Sequence, residues 1–253
     1  MFDQSCLWLL NLVTAAISVL AIREIFTVIG LSRDYTIIIP TMIFVPILPI
    51  IGFTPMWEFF WYIYTIIIFL NLIFVKDVQI DRLFTVYTMS IIISFCLFKI
   101  VALRDYSQEY GSFYVFLALM IAWMSDTGAY FCGKLLGKNK LCPEISPKKT
   151  IEGFIGGIIT CLISVVLVSV IFNNFMFSEK HKINYCLILI LGLTGSLISS
   201  FGDLCFSAIK RKYHVKDFGN IMPGHGGILD RFDSVIFVVP YVYIFIKFIH
   251  III

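Results

Sequence analysis

The sequence predicts an all-α fold, a polytopic transmembrane helix bundle with about eight spans. Of the 253 residues, 60% are hydrophobic and only 14% are charged, a composition that excludes an ordinary soluble domain. Apolar runs of about 17–25 residues, the length needed to cross a bilayer, recur along the chain. The alternating pattern of a membrane β-barrel is absent, so the spans should be α-helices, which satisfy their own backbone hydrogen bonds.

The predicted spans fall into two regions. The first four form an N-terminal region of membrane helices, residues 1–110, which offers little chemistry. The last four form a C-terminal membrane domain, residues 111–253, which holds the charged loops. The second span contains three prolines and is expected to be kinked or re-entrant. The spans are Leu7–Ile29, Thr36–Ile51, Trp57–Val75, Phe84–Leu103, Ser112–Cys132, Gly153–Phe172, Tyr185–Phe206 and Ser234–Ile253.

The first span is expected to be retained as a membrane anchor. Asp3 stands where a signal peptide carries basic residues, and no clear small-residue cleavage site follows. Near the end of this span, Arg23 and Glu24 are expected to form an interfacial pair. The reason is that charged side chains near helix ends can reach the lipid headgroups.

The loops differ strongly in positive charge. With eight crossings, the loops on one side hold thirteen Lys and Arg residues, and those on the other side hold three, Arg104, Lys180 and Lys182. Basic loops face the cytoplasm, so the two richly charged loops, after the fifth and seventh spans, are predicted to be cytoplasmic. The basic residues form no arm or patch that would suit nucleic acid.

A carboxylate lies inside the fifth span. Asp126 is followed at helical spacing by Tyr130 and Lys134, which places all three on one face. An intramembrane carboxylate is costly unless it is paired, hydrated or bound to a metal. Two interpretations stay open, a polar site and a structural pairing with a lysine of the next loop.

The loop after the fifth span is suited to a phosphate. Lys148 and Lys149 supply two ammonium groups, Thr150 can cap the sixth span, and Glu152 falls in the first turn. A capped helix N-terminus beside two lysines favours an anion. The alternative is a basic loop that only sets the topology and touches headgroups.

Small residues predict close helix contacts in the next two spans. Gly153 and Gly157 are spaced for the close approach of another helix. In the seventh span, a small and polar stripe is expected to face the bundle interior or a wet cavity. The stripe consists of Gly192, Ser196, Ser199, Asp203 and Ser207.

The densest charge lies between the last two spans, in residues 202–234, where four carboxylates and five cations surround a glycine-rich turn. Asp203 and Asp230 are hard oxygen ligands, and no Cys/His cluster with zinc spacing accompanies them. Magnesium is usually held by one or two carboxylates together with substrate phosphates. Gly226 and Gly227 allow a backbone to approach a ligand closely. The stretch therefore predicts a polyphosphate site at the lipid boundary.

The same stretch resembles a known signature. The segment SAIKRKYHVKDFGNIMPGHGGILDRFDS is similar to the signature of the phosphatidate cytidylyltransferases, or CDP-diacylglycerol synthases, which falls here on residues 207–233, and it departs from that signature at Met222. The upstream segments WMSDTGAYFCGKLLGKNKL, SPKKTIEG and GDL also look like blocks of that family. The resemblance covers residues 123–234, whereas the N-terminal half is similar only in hydropathy.

The resemblance implies a magnesium-dependent enzyme of phospholipid biosynthesis, with two catalytic loops in the cytoplasm. Such an enzyme converts CTP and phosphatidic acid into CDP-diacylglycerol and pyrophosphate. The implied location is the lipid bilayer of the bacterial inner membrane. The implied cofactor is Mg²⁺. A second, monovalent ion and a homodimer stay open, and no nucleic-acid partner is expected.

The resemblance also assigns roles to individual residues. Asp203 and Asp230 would hold the metal, with Asp126 and Glu152 as further acidic contributors. The expected catalytic residues are Asp203, Asp230, Lys210, Arg211 and Arg231. The expected substrate-binding residues are Lys148, Lys149, Ser199, Ser207, Lys216, His225, Gly226 and Gly227.

Two other functions stay open from the residues. A different CTP-using membrane enzyme, such as a polyprenol kinase, would transfer the γ-phosphate and release CDP instead of pyrophosphate. A transporter or channel would need charge within the spans and paired inverted repeats, whereas most of the charge here lies in two loops.

Overall fold

Each of the eight predicted apolar runs forms an α-helix over most of its length in the computed structural model, which confirms the predicted all-α membrane bundle. The last run is helical only as far as Phe248, and Ile252 beyond it forms an isolated β-bridge with Ile183. The structure describes residues 4–31, 34–52, 54–75, 79–175, 182–221 and 226–252, except for the side chains of residues 4–7 and 55. Within these ranges, the helices are α1 (Gln4–Ile29), α2 (Tyr35–Ile51), α3 (Pro55–Phe74), α4 (Ile80–Asp105), α5 (Gly111–Leu136), α6 (Ile151–Phe175), α7 (Tyr185–Lys212) and α8 (Leu229–Phe248). Most of them extend beyond the apolar run, because polar residues at a helix end continue its hydrogen bonding.

Six of the described helices are long and apolar enough to cross a membrane. The protein is therefore an integral membrane protein. The remaining two helices differ, since α2 has only 17 residues and α8 carries Asp230, Arg231 and Asp233 near its start. Eight crossings, and a kinked or re-entrant α2, stay predictions. The six candidate spans are Trp8–Ile29, Met56–Phe74, Ile80–Asp105, Gly111–Leu136, Ile151–Phe175 and Tyr185–Lys212.

The loop after α5 contains a β-hairpin, which the sequence does not predict. Its strands are β1 (Lys140–Cys142) and β2 (Ser146–Thr150). They pair antiparallel, with Lys140 opposite Thr150 and Cys142 opposite Ser146. This loop is therefore an ordered element that holds its lysines at fixed places.

The chain forms two compact units. Unit 1 comprises residues 1–102 and 213–232, and unit 2 comprises residues 103–212 and 233–253. Unit 1 thus contains α1–α3, most of α4 and the glycine-rich segment that precedes α8. Unit 2 contains α5–α7, the hairpin and most of α8.

Hydroxyl groups join the helices inside unit 1. The Tyr64 hydroxyl lies 2.8 Å from the Ser90 hydroxyl and 3.2 Å from that of Thr41. The Ser94 hydroxyl donates to the carbonyl of Val45 at 2.9 Å. Such bonds between helices help to specify packing where lipid removes much of the hydrophobic driving force.

Helix α6 in unit 2 carries small residues on its buried face and large apolar residues on its exposed face. A Cβ on Gly157 would lie 2.6 Å from the Ser125 carbonyl oxygen, and one on Gly153 would lie 2.7 Å from that of Ala129. The predicted close contact at these glycines is therefore confirmed, and its partner is α5. Large apolar residues lie on the exposed face, which suits lipid. They include Ile155, Ile159, Ile163 and Leu167.

Candidate active site

A cavity of about 510 Å³ lies within unit 2. Helices α5, α6 and α7 and the β-hairpin form its walls. Its lining combines carboxylates, ammonium groups and hydroxyl groups, the chemistry that an anionic ligand and a cation need. The polar lining residues are Asp126, Tyr130, Lys134, Lys140, Ser146, Lys148, Lys149, Thr150, Ser200 and Asp203.

Helix α5 supplies one wall through the face predicted from the sequence. Asp126, Tyr130 and Lys134 all line the cavity, because residues four apart lie on one side of a helix. The Lys134 ammonium lies 6.0 Å from the centre of the Tyr130 ring. The prediction of a shared polar face is confirmed.

The hairpin leads directly into the N-terminus of α6. The Thr150 hydroxyl accepts a hydrogen bond from the Gly153 N–H at 3.1 Å, which confirms the predicted cap. Lys148 and Lys149 immediately precede it and line the cavity. Two ammonium groups and a helix N-terminus therefore lie in one part of the cavity wall, and both features favour an anion.

Asp203 forms an ion pair with the hairpin. Its Oδ2 atom lies 2.6 Å from the Lys149 Nζ atom, and the two side chains are 27% and 22% exposed. Its Oδ1 atom accepts from the Ser207 hydroxyl at 3.3 Å. The structure thus brings three of the predicted site residues into direct contact.

Asp126 contacts two hydroxyl groups that come from other helices. The Ser234 hydroxyl donates to Asp126 Oδ2 at 2.8 Å, and the Ser199 hydroxyl lies 3.3 Å from Oδ1. Ser196, Ser199 and Ser207 are buried, so the prediction that this stripe of α7 faces inward is confirmed.

Glu152 contacts the backbone that follows α5. Its carboxylate accepts from the Lys138 N–H at 3.0 Å and from the Asn139 N–H at 3.2 Å. The Asn139 side-chain amide donates to it at 2.8 Å. These contacts tie the start of α6 to the start of the hairpin. The role of Glu152 as a metal contributor stays a prediction.

The cations at the end of α7 have different surroundings. Lys210 is 8% exposed, whereas Arg211 is exposed and its Nε atom donates to the Ile145 carbonyl at 3.2 Å. Arg211 therefore binds the turn of the hairpin. Direct contact of either residue with a substrate stays a prediction.

Asp230 organises the glycine-rich segment in unit 1. Its Oδ2 atom accepts from the Gly227 N–H at 2.9 Å and from the Phe218 N–H at 2.8 Å. Gly226 has φ +82°, a left-handed conformation that glycine adopts without strain. The expected close approach of this backbone to a ligand stays a prediction.

Three other predicted site residues belong to this segment. Lys216 and Arg231 are exposed in unit 1. His225 lies outside the residues that the structure describes. Their roles in substrate binding and catalysis stay predictions, as does the sharing of one metal by Asp203 of unit 2 and Asp230 of unit 1.

The sequence-based prediction for Glu24 is wrong. Its side chain is only 4% exposed, so it is no member of an interfacial pair that reaches the headgroups. Its Oε1 atom accepts from the Ile228 N–H at 2.8 Å, and its Oε2 atom accepts from the Leu229 N–H at 2.9 Å. The buried carboxylate binds the segment that also carries Asp230.

The oxygen donors of the cavity suit Mg²⁺ held in part by a substrate. Among the described residues, no group of three or more His, Cys, Asp or Glu side chains could hold a metal ion by itself. The cavity is lined by the carboxylates of Asp126 and Asp203. One or two carboxylates with substrate phosphates are the usual donor set for Mg²⁺, so these residues fit such a site.

Three polar residues of the site escape prediction from the sequence. Lys140 and Ser200 line the cavity, and Ser234 binds Asp126 across 108 residues of chain. The helical spacing from Ser196 and Asp203 could have found Ser200. No local pattern marks Ser234, because the contact exists only after α5 and α8 pack in unit 2.

The fold and the cavity define a class of protein, a polytopic helical membrane protein whose charged cavity suits anionic ligands and a divalent cation. A model of the Cytidylyltransferase family matches residues 2–249. The chain therefore belongs to the cytidylyltransferase family, which confirms the resemblance seen in the signature.

Individual relatives are similar over part of the chain. A phosphatidate cytidylyltransferase of Bacillus subtilis (strain 168) is 47% identical over 154 residues, which are 61% of this chain and 54% of that protein. One of Staphylococcus saprophyticus is 48% identical over 134 residues, 53% of this chain and 49% of that protein. One of Staphylococcus epidermidis is 50% identical with the same coverage. The chain thus spans about half the length of these relatives.

Proposed function

We propose that the protein transfers the cytidylyl group of CTP to phosphatidic acid, giving CDP-diacylglycerol and pyrophosphate. The observation that carries this proposal is the family match over residues 2–249 together with relatives named phosphatidate cytidylyltransferase. The cavity supports it, because Lys148, Lys149 and the capped start of α6 suit phosphates.

The reaction requires two polyanions to meet. A phosphate oxygen of phosphatidic acid forms a bond to the α-phosphorus of CTP, and the bond from that phosphorus to the bridging oxygen breaks. The electron pair leaves with pyrophosphate. The attacking phosphate is already ionised at neutral pH, so no strong general base is needed. The main requirement is fixed positive charge that offsets repulsion and stabilises the leaving group.

The lysines of the cavity meet that requirement. Lys148 and Lys149 hold phosphate groups at the start of α6, and Lys134 and Lys140 add positive charge to the same cavity. Asp203 orients Lys149 through their ion pair. Ser199 and Ser234 hold the Asp126 carboxylate in place. Lys210, Arg211, Lys216 and Arg231 are proposed to add contacts to CTP and lipid phosphates.

Magnesium is the proposed cofactor. Asp203 would hold it, with Asp126 as a further acidic contributor from the lining of the same cavity. When bound, Mg²⁺ supplies charge neutralisation at the phosphates of the nucleotide. The proposed location is a bacterial inner membrane with the hairpin and the signature segment on the cytoplasmic side, as the positive charge of these loops indicates.

Product analysis tests the proposal. Protein purified in detergent is incubated with CTP, phosphatidic acid and Mg²⁺, with and without a chelator. We expect CDP-diacylglycerol and pyrophosphate in equal amounts, and no product with the chelator. Release of CDP with phosphorylation of a lipid alcohol would overturn the proposal in favour of a lipid kinase.

A further inference from the structure

Glu24 makes an unusual connection within unit 1. It lies in α1, near the end of that helix, yet both of its carboxylate oxygens bind the backbone at the start of α8, 204 and 205 residues away. The side chain is 4% exposed. An intramembrane carboxylate is costly unless it is paired, so these contacts need a reason.

The bound amides belong to the beginning of a helix. Helix α8 starts at Leu229, and the first N–H groups of an α-helix have no partner within the helix. Here the N–H groups of Ile228 and Leu229 bind Glu24. Hydrogen bonds that involve a charged acceptor are stronger than neutral ones, so a carboxylate is a suitable anchor.

Two glycines make room for the Glu24 side chain. A Cβ on Gly219 would lie 2.6 Å from Oε1, and one on Gly227 would overlap Oε2. Any larger residue at either position would displace the carboxylate. Glu24 therefore fills the space between two parts of residues 213–232.

The anchored segment carries residues assigned to catalysis. Asp230 lies one residue after Leu229, and its carboxylate accepts the N–H groups of Gly227 and Phe218. Two carboxylates, one from α1 and one from the segment itself, thus bind four backbone N–H groups of this segment. The backbone position of Asp230 depends on both.

We infer that Glu24 is a positioning residue for cytidylyl transfer, which fixes the start of α8 so that Asp230 and Arg231 are held in their working positions. The inference rests on the proposed function. Helix α1, which otherwise carries few chemically active residues, would thereby hold the signature segment in place.

The experiment compares three variants of the full chain in detergent. Glu24→Gln keeps the size of the side chain but replaces one acceptor oxygen with a donor. Glu24→Asp keeps both acceptors on a shorter side chain. Ser18→Ala is the matched control in α1, since the Ser18 hydroxyl is buried and donates to the Thr14 carbonyl of its own helix. Hydrogen exchange of residues 226–232, thermal unfolding and the rate with CTP and phosphatidic acid are measured.

We expect Glu24→Gln to speed exchange in residues 226–232 and to lower kcat by roughly tenfold or more, because hydrogen bonds to a buried charged group are lost. Glu24→Asp should recover part of kcat, and Ser18→Ala should match the wild type. Unchanged exchange and kcat in Glu24→Gln would overturn the inference. Faster exchange over the whole chain would also overturn it, since that indicates a general structural role.

A second variant covers the case in which Glu24→Gln does not fold. Gly219→Ala keeps the carboxylate but pushes against it, so faster exchange in residues 226–232 and a lower kcat are expected, and the absence of both would contradict the inference. If the wild type makes no CDP-diacylglycerol, the proposed function fails. The exchange data then still decide whether Glu24 anchors the segment.

Discussion

Lys149 and Asp203 show how single residues define the cavity. Asp203 lies near the end of an apolar helix, and its partner comes from the hairpin, at 2.6 Å. A carboxylate in such a place needs a partner, while the lysine gains a fixed position next to Lys148. The pair therefore fixes where positive charge lies in the cavity wall.

The first prediction concerns Lys149. Replacing it in Lys149→Gln should raise the KM for CTP at least about fivefold, because a charged phosphate contact and the ion pair with Asp203 are both lost. Initial rates at several CTP concentrations measure the effect. Lys138→Gln is the control, since Lys138 is an exposed lysine of the same loop and is not among the cavity-lining residues. Equal KM values in the two variants would contradict the prediction.

Sequence patterns predict residues of this site only where those residues are spaced along one helix, so that their common face can be read from the sequence. Asp126, Tyr130 and Lys134 follow from helical spacing within one element. Ser234 does not, because it meets Asp126 through packing of distant elements. Its charge and its place near a helix end predict Glu24 at the membrane interface, and only the fold reveals that its partners are the amides of Ile228 and Leu229.

The β-hairpin is the element that local strand propensity does not predict. Strand β2 reads SPKKT, with a proline and two lysines and no aromatic or branched apolar residue, so its strand propensity is low. It forms through pairing with β1 and packing in unit 2. The helices, in contrast, follow from long apolar runs, which determine the secondary structure almost alone in a membrane.

The second prediction concerns the contact between Glu152 and the hairpin. Glu152→Ala should raise the KM for CTP at least about threefold, because the backbone at Lys138 and Asn139 loses its acceptor and the hairpin lysines lose their fixed position. The Mg²⁺ concentration that gives half the maximal rate should stay unchanged. Kinetics at varied CTP and varied Mg²⁺ measure both quantities.

The control for this prediction is Glu144→Ala, which removes an exposed carboxylate from the turn of the same hairpin. A large rise in the Mg²⁺ requirement of Glu152→Ala, without a change in KM for CTP, would show that the metal role implied by the family resemblance is the better description of Glu152.

At the scale of the whole molecule, charge predicts orientation in the membrane. The region from Lys134 to Lys149 and the signature segment together hold ten of the thirteen basic residues on one predicted side. Basic loops remain in the cytoplasm, where CTP is available. The predicted orientation therefore agrees with the proposed function, because a CTP site on the other face would lack its substrate.

The third prediction tests this orientation. After replacement of the seven native cysteines, a single cysteine is introduced by Lys138→Cys or by Lys182→Cys. In intact cells, a membrane-impermeant thiol reagent should label the cysteine at position 182 and leave the one at position 138 unlabelled. Inverted membrane vesicles should give the opposite pattern. Labelling of position 138 in intact cells would contradict the predicted topology.

The central claim is that cytidylyl transfer takes place at the cavity lined by Asp203. The most direct measurement follows radioactive phosphorus from the α-phosphate of CTP into lipid, using wild type, Asp203→Asn and the exposed-site control Asp105→Asn. The wild type and the control should label the lipid, while Asp203→Asn should transfer at least about 100-fold more slowly with an unchanged unfolding temperature. Lipid labelling by folded Asp203→Asn at a rate near that of the wild type would contradict the account.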